Sequence, residues 1–206
     1  MNREIKITFN NRLLRSYIEV DLCLDCPRQD SKGCCGHYSP VFYPTDLAYL
    51  YKENPDILSL ILNLKDITVL DTSITVNNDI DGQSYKCKFH NQTKGCILAQ
   101  EMRESICRHF VCPGIDWESE PKCNNWRIFF DSLTEYEIAL NKRLGDKLAQ
   151  KNLTLRDRSR HNAFFKELIS LYDEETENFP SFLYNFPSTE EYTLIRPIKY
   201  GRDWPL

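Results

Sequence analysis

Apolar and polar positions alternate from Glu4 to Phe9 (EIKITF) and, less strictly, over residues 16–22 (SYIEVDL). This two-residue period predicts short strands. Pro40 to Pro44 reads as an extended turn. Thr45 then reads as the N-cap of a helix with Leu47, Leu50 and Tyr51 at the spacing of a buried stripe. Asn54-Pro55 pairs a capping side chain with a first-turn proline and predicts a second helix through Leu64. Ile67 to Val76 is rich in β-branched residues and predicts one strand. Asn77 to Gly82 supplies a turn, and Gln83 to Lys88 returns as the partner strand that delivers Cys87. Further on, Asn124 or Asn125 caps a long helix whose Trp126, Phe129, Phe130, Leu133, Tyr136, Leu140, Leu144 and Leu148 share a face. After a loop at Asn152 to Leu155, Phe164, Phe165, Leu168, Ile169 and Tyr172 form a similar stripe, so the two helices should pack as an antiparallel pair. The proline-bearing tail from Phe179 to Leu206 reads as mostly irregular, with Tyr192 to Tyr200 fitting a strand.

The pattern gives an α+β chain: a small cysteine-rich core with short strands over residues 1–120, and a C-terminal helical extension over residues 121–206. A length of 206 residues suits that division, and 41% hydrophobic with 27% charged residues is ordinary for a globular protein. The net charge of −4, from 30 acidic and 26 basic residues without a dense basic run, argues against nucleic acid as a partner. The first twenty residues lack the apolar core of a secretory signal, and the longest apolar run, Ile57 to Leu64, is too short to cross a bilayer. No membrane association and a cytoplasmic location are expected, and in that reducing compartment clustered thiols point to metal rather than disulfides.

Eight of the nine cysteines fall into two blocks. The first is Cys23-x2-Cys26-x7-Cys34-Cys35, within CLDCPRQDSKGCCG. The second is Cys87-x8-Cys96-x10-Cys107-x4-Cys112. The second block places four soft ligands on a strand end, a turn, a short helical segment and its exit. Such a loop can close around one centre, with thiolate sulfur roughly 2.3 Å from zinc. Four of the seven glycines, Gly33, Gly36, Gly95 and Gly114, lie within two residues of a block cysteine, as crowded backbone around a metal requires. In the first block, extended backbone at Cys34 and Cys35 would point the two thiols in opposite directions, so the blocks can interleave around shared centres. Four-thiolate sites suit zinc or an iron–sulfur cluster, not magnesium or calcium.

The order of these pieces resembles the CxxCxxCC cysteine-cluster family, also called YkgJ-type, a zinc- or iron-chelating domain. The resemblance is carried by the CxxC hook ending in Cys34-Cys35, by Cys87-Lys88-Phe89, by Gly95-Cys96-Ile97-Leu98, and by Cys107-Arg108-His109-Phe110-Val111-Cys112. It covers about residues 20–115, and the seven-residue gap before Cys34 is longer than the family pattern. What it implies is metal binding by Cys23, Cys26, Cys34, Cys35, Cys87, Cys96, Cys107 and Cys112, without an assigned biochemical role. A similar cluster in the flagellin lysine N-methylases implies an alternative, an iron–sulfur enzyme modifying a protein. Metal storage or delivery is a third reading, and a protein partner is an option in each.

Other residues carry two readings apiece. His90 and His109 either replace a thiolate or sit beside the centre. Arg108 either serves thiolate charge or makes a surface ion pair. Cys123, ahead of a helix start, is either a thiol activated by the helix dipole or a spare buried cysteine. Asp116, Glu118 and Glu120 form an acidic stretch that is either a solvated loop or a route for metal or substrate. His161 has no recognisable partner and is assigned to the surface. No nucleophile motif, phosphate loop or dinucleotide fingerprint occurs.

Overall fold

The computed structural model of the chain describes residues 2–22, 36, 38–82, 84–91 and 95–197. Strand β1 (Asn2–Asn10) is the middle of a three-stranded antiparallel sheet. Its alternation buries Ile5, Ile7 and Phe9 completely. On one side lies β2 (Tyr17–Val20), in register Ile7↔Val20 to Asn10↔Tyr17.

A second antiparallel sheet has the order β3-β5-β4, from β3 (Val41–Phe42), β4 (Ile67–Val69) and β5 (Ile74–Val76). Between β3 and β4 run helices α1 (Pro44–Glu53) and α2 (Pro55–Leu62). The single strand expected over Ile67 to Val76 is thus a hairpin. Its turn closes with Leu70 N–H on the Ser73 carbonyl at 2.9 Å, because Asp71-Thr72-Ser73 favours a turn over further ladder. Thr45 is not the cap of α1 either. Pro44 already occupies the first turn, Asp46 Oδ2 accepts from Tyr43 N–H at 3.0 Å, and Thr45 N–H is satisfied by Asn141 Oδ1 at 2.9 Å. The Asn54-Pro55 start of α2 is as expected, with Asn54 Oδ1 accepting from Ile57 N–H at 3.2 Å.

Two small hairpins follow. The region expected as a plain turn holds β6 (Asp79–Asp81), which pairs with β7 (Ser84–Lys86) around Gly82 at φ 62°. Then β8 (His90–Asn91) pairs with β9 (Gly95–Cys96). The short helix α3 (Ser105–His109) and a series of single 3-10 turns lead to the long α4 (Asn124–Gln150).

Along α4 the expected face is buried except that Tyr136 is partly exposed, and it carries one residue that was not expected, Glu137. Helix α5 (His161–Thr176) buries Phe164, Phe165, Leu168, Leu171 and Tyr172. Ion pairs Arg143–Glu175, Lys147–Glu174 and Lys151–Glu167 step up one helix and down the other, so α4 and α5 run antiparallel. His161, expected at the surface, is half-buried and reaches the Leu155 carbonyl through Nε2 at 2.7 Å. A short α6 (Ser181–Tyr184) precedes β10 (Thr189–Pro197), which pairs with β1 from Asn2↔Pro197 to Asn10↔Thr189. The tail is therefore less irregular than its prolines suggested. The chain is α+β with a helical C-terminal region, and the sheet, α1 and the α4–α5 pair share one hydrophobic core.

Tyr172 gives a pH test of this packing. Burial pushes its hydroxyl up to about 12, from an ordinary value of 10.0. The unfolded chain therefore releases this proton first, and stability is full below about pH 10 and lost as pH climbs through about 12. At about pH 11 the loss from this group is on the order of 1 kcal/mol. Denaturant titrations at about pH 8 and about pH 11 should show Tyr172→Phe losing less stability than the parent by that amount. Equal losses would mean that this hydroxyl is not responsible.

Candidate functional site

The second cysteine block is assembled by the β8–β9 hairpin and α3. Cys87 follows β7, and its carbonyl accepts from His90 N–H at 3.0 Å, closing a tight turn. Phe89 within this turn is buried and meets Phe42 edge-on at 6.1 Å, which fixes the turn on the core. Ile97 N–H to the Phe89 carbonyl at 2.8 Å closes the hairpin, and Gly95 takes φ 75°, a left-handed conformation that glycine adopts without strain. Cys96 lies in β9 rather than a turn, and it is the register partner of His90. Residues paired in this way project from the same face, so the His90 and Cys96 side chains are neighbours.

Cys107 comes from α3, a helix of five residues. Its N-cap is Glu104, 1% exposed, whose carboxylate accepts from Ile106 N–H at 2.9 Å and Cys107 N–H at 2.8 Å. The Cys107 thiol also donates to this carboxylate. Burial pushes the thiol well above its ordinary range, and the negative charge of Glu104 and of the Cys87 and Cys96 thiols pushes it further. Cys87 and Cys96 are therefore each within electrostatic reach of Cys107. Burial likewise raises the Glu104 carboxyl, although the Cys107 thiol and amide hydrogen bonds oppose it. Cys112 follows the exit of α3 and is partly buried against the core.

Arg108 behaves as neither sequence reading expected: it is wholly buried and turned into the protein. Its Nε donates to the Arg103 carbonyl at 3.2 Å, its Nη1 to the Ser16 carbonyl at 2.8 Å, and its Nη2 to Glu137 Oε1 at 2.5 Å. Asp46 Oδ1, 4.0 Å from Nη2, accepts from Arg15 Nη1 at 2.7 Å, so two guanidinium groups and two carboxylates form one buried node. Burial works against the charge of Arg108, but Glu137 and Asp46 outweigh it and raise its pKa. Arg15 is lowered by burial and by Arg108. It also donates to the Glu101 and Arg103 carbonyls, and its guanidinium lies 4.5 Å over the Tyr49 ring.

His109 belongs to this node. Its ring nitrogens lie 3.2 Å from Arg108 Nη1 and 3.3 Å from Thr134 Oγ1, and burial followed by the two arginines keeps it neutral. Both nitrogens being engaged there, His109 is not set up as a replacement ligand. Glu137 was missed in the sequence. It lies four residues after Leu133 and three before Leu140, on the buried face of α4, and that placement was the available signal.

Cys23, Cys26, Cys34 and Cys35 lie outside the described residues. Their flanks do not. β2 is tied to the second block by Gln100 Nε2 on the Ile18 carbonyl at 3.2 Å and by Arg108 on the Ser16 carbonyl. Gly36, next to Cys35, accepts through its carbonyl from Asn78 Nδ2 at 3.2 Å, and the Tyr38 ring packs on Phe110 at 5.4 Å. Among the described residues no three His, Cys, Asp or Glu side chains are gathered into a metal site on their own.

Cys123 is buried, and burial raises its thiol despite the nearby charge of Lys122. Glu120 pairs with Arg196 at 2.6 Å, and Arg196 also binds the Ile115 and Asp116 carbonyls, so Glu120 docks β10 instead of lying in a solvated loop. Among the described residues no helix is long and apolar enough to cross a membrane. Neither a family model, nor a curated protein, nor a solved structure matches the chain.

Proposed function

We propose that the chain is a metal-binding protein in which the two cysteine blocks together hold zinc or an iron–sulfur cluster. One observation carries this reading: both flanks of residues 23–35 are fastened to the second block, at Ser16 and Ile18 on one side and at Tyr38 on the other. Such anchors favour an approach of the first block to Cys87, Cys96 and Cys107.

The donor chemistry fits such a group. Thiols are the soft ligands that zinc and iron–sulfur clusters take. Cys107 sits in a buried, electronegative setting that resists thiolate formation, and Arg108 is committed to the node on the other side of α3. A cation among the sulfurs reverses that balance, since a coordinated thiol is deprotonated outright. Cys87, Cys96, Cys107 and Cys112, with Cys23, Cys26, Cys34 and Cys35, would be the ligands. Bound zinc would supply folding free energy, and a cluster would supply electron-transfer capacity.

Cys107→Ser should lower the metal content of the purified protein by about one equivalent or abolish it, because oxygen replaces a soft ligand in the set. Cys123→Ser should leave the content unchanged. Full metal retention in Cys107→Ser, or equal loss in both variants, would refute the assignment.

A further inference from the structure

The buried node has a consequence for the thiols, and it rests on the metal-binding reading above. We propose that Arg108, held by Glu137, is a positioning residue that sets the rotation of α3 and thereby the direction in which the Cys107 thiol projects.

Helix α3 has only five residues and cannot hold its own orientation in water. Its direction comes from anchors, and Arg108 is the one that reaches furthest. From a single guanidinium it contacts the loop before β2 through Ser16, the segment before α3 through Arg103, and the middle of α4 through Glu137. The Ser16 carbonyl is itself fixed. The turn from Asn11 to Ser16 places Leu13 at φ 54°, and Ser16 Oγ closes it by donating to the Leu13 carbonyl at 2.6 Å and accepting from Arg12 N–H at 2.9 Å.

Neighbouring residues of a helix point roughly 100° apart, so Cys107 is not free to choose its direction once Arg108 is seated. Metal ligands tolerate about 0.2 Å of error in distance, and on a helix whose Cα radius is about 2.3 Å a rotation of about 5° already moves an atom that far. A loosely held α3 would exceed this tolerance.

The node is poorly explained as a stabilising device. Glu137 is 2% exposed, and its Oε2 has no hydrogen-bond partner among the described residues, lying 4.0 Å from His109 Nε2. A buried ion pair with one oxygen unsatisfied gains little over apolar packing, whereas it does fix which surfaces meet. Cys107 and Arg108 are adjacent, so the register fixed on one face is delivered to the other.

The test is Arg108→Lys, which keeps the charge and loses the fork that reaches three elements at once. The control is Phe129→Leu, a core change on α4 away from α3. In competition with a chromophoric chelator, zinc affinity should fall about 10–100-fold in Arg108→Lys and stay near the parent in the control. Separately, on metal-stripped protein, alkylation of Cys107 relative to Cys123, read by mass spectrometry, should rise about tenfold in Arg108→Lys as α3 opens more often. An unchanged Cys107 ratio in the stripped protein, or an affinity loss matched by the control, would overturn the positioning role. The stripped-protein measurement holds whether or not the parent binds zinc, so a parent without metal would defeat the metal reading while this role is judged on alkylation alone.

Discussion

Glu137→Leu is expected to destabilise the fold by about 3–5 kcal/mol, because it leaves the Arg108 charge buried with one partner removed. Asp46 cannot take over. Its Oδ1 is 4.0 Å from Arg108 Nη2 and already accepts from Arg15, and its Oδ2 accepts from Tyr43 N–H. For a chain of this length the loss lowers the melting temperature by about 6–20 °C. Adding Arg108→Met removes the orphaned charge and should restore most of the lost stability, since an apolar pair of similar volume often equals a buried ion pair. The Ser16 carbonyl would then lose the Arg108 donor and the Arg103 carbonyl would keep only Arg15, so recovery should stop short of the parent by about 1–2 kcal/mol. Thermal melts of the parent, the single variant and the double variant decide this. A double variant less stable than Glu137→Leu would mean that Arg108 contributes through its carbonyl contacts and not through Glu137.

Trp126→Ala should be of similar size, about 3–5 kcal/mol, for a different reason. Trp126 is wholly buried and joins α4 to both ends of the chain. It stacks on Phe9 of β1 at 5.1 Å, meets Phe186 edge-on at 4.6 Å, and donates from Nε1 to Glu190 Oε2 of β10 at 2.6 Å. Alanine leaves a cavity lined by aromatic rings and strips Glu190 of a donor, leaving it the Tyr192 hydroxyl at 2.8 Å. Trp126→Phe keeps most of the packing and should cost only the hydrogen bond and some volume, about 1–2 kcal/mol. Equal unfolding free energies for the two variants would show that the ring stack is not what holds α4 against the sheet.

The α4 and α5 stripes were legible because an apolar period of about 3.6 residues, sustained over several turns, arises from little besides an amphipathic helix. The β1 alternation was legible on the same grounds, with a period of two. The Ile67 to Val76 segment misled, since β-branched residues mark strand without marking where it folds back, and Asp71-Thr72-Ser73 in its middle was the signal to weigh. The extent of β10 was hidden by Glu190 and Glu191. Glu190 is held by donors from Trp126 and Tyr192, and the first of these is a long-range contact that no local pattern reports.

At the site, the spacing of the second block did announce a strand end, a short helix and its exit. It did not announce which way Arg108 points. An arginine beside a cysteine reads as a partner for thiolate, and only the fold reveals a glutamate waiting on the buried face of α4. The proposed sharing of thiols between the two blocks is likewise a matter of tertiary approach. The packing of Tyr38 on Phe110 is what speaks for it, and no spacing rule contains that contact.

The most direct measurement is elemental analysis with a visible spectrum on protein purified without oxygen. About one or more equivalents of metal per chain are expected: zinc in a colourless protein, or iron with acid-labile sulfide in a brown one. Protein that is folded and monodisperse yet holds neither metal in stoichiometric amount, with the thiols of both blocks all titrating as cysteine, would contradict it.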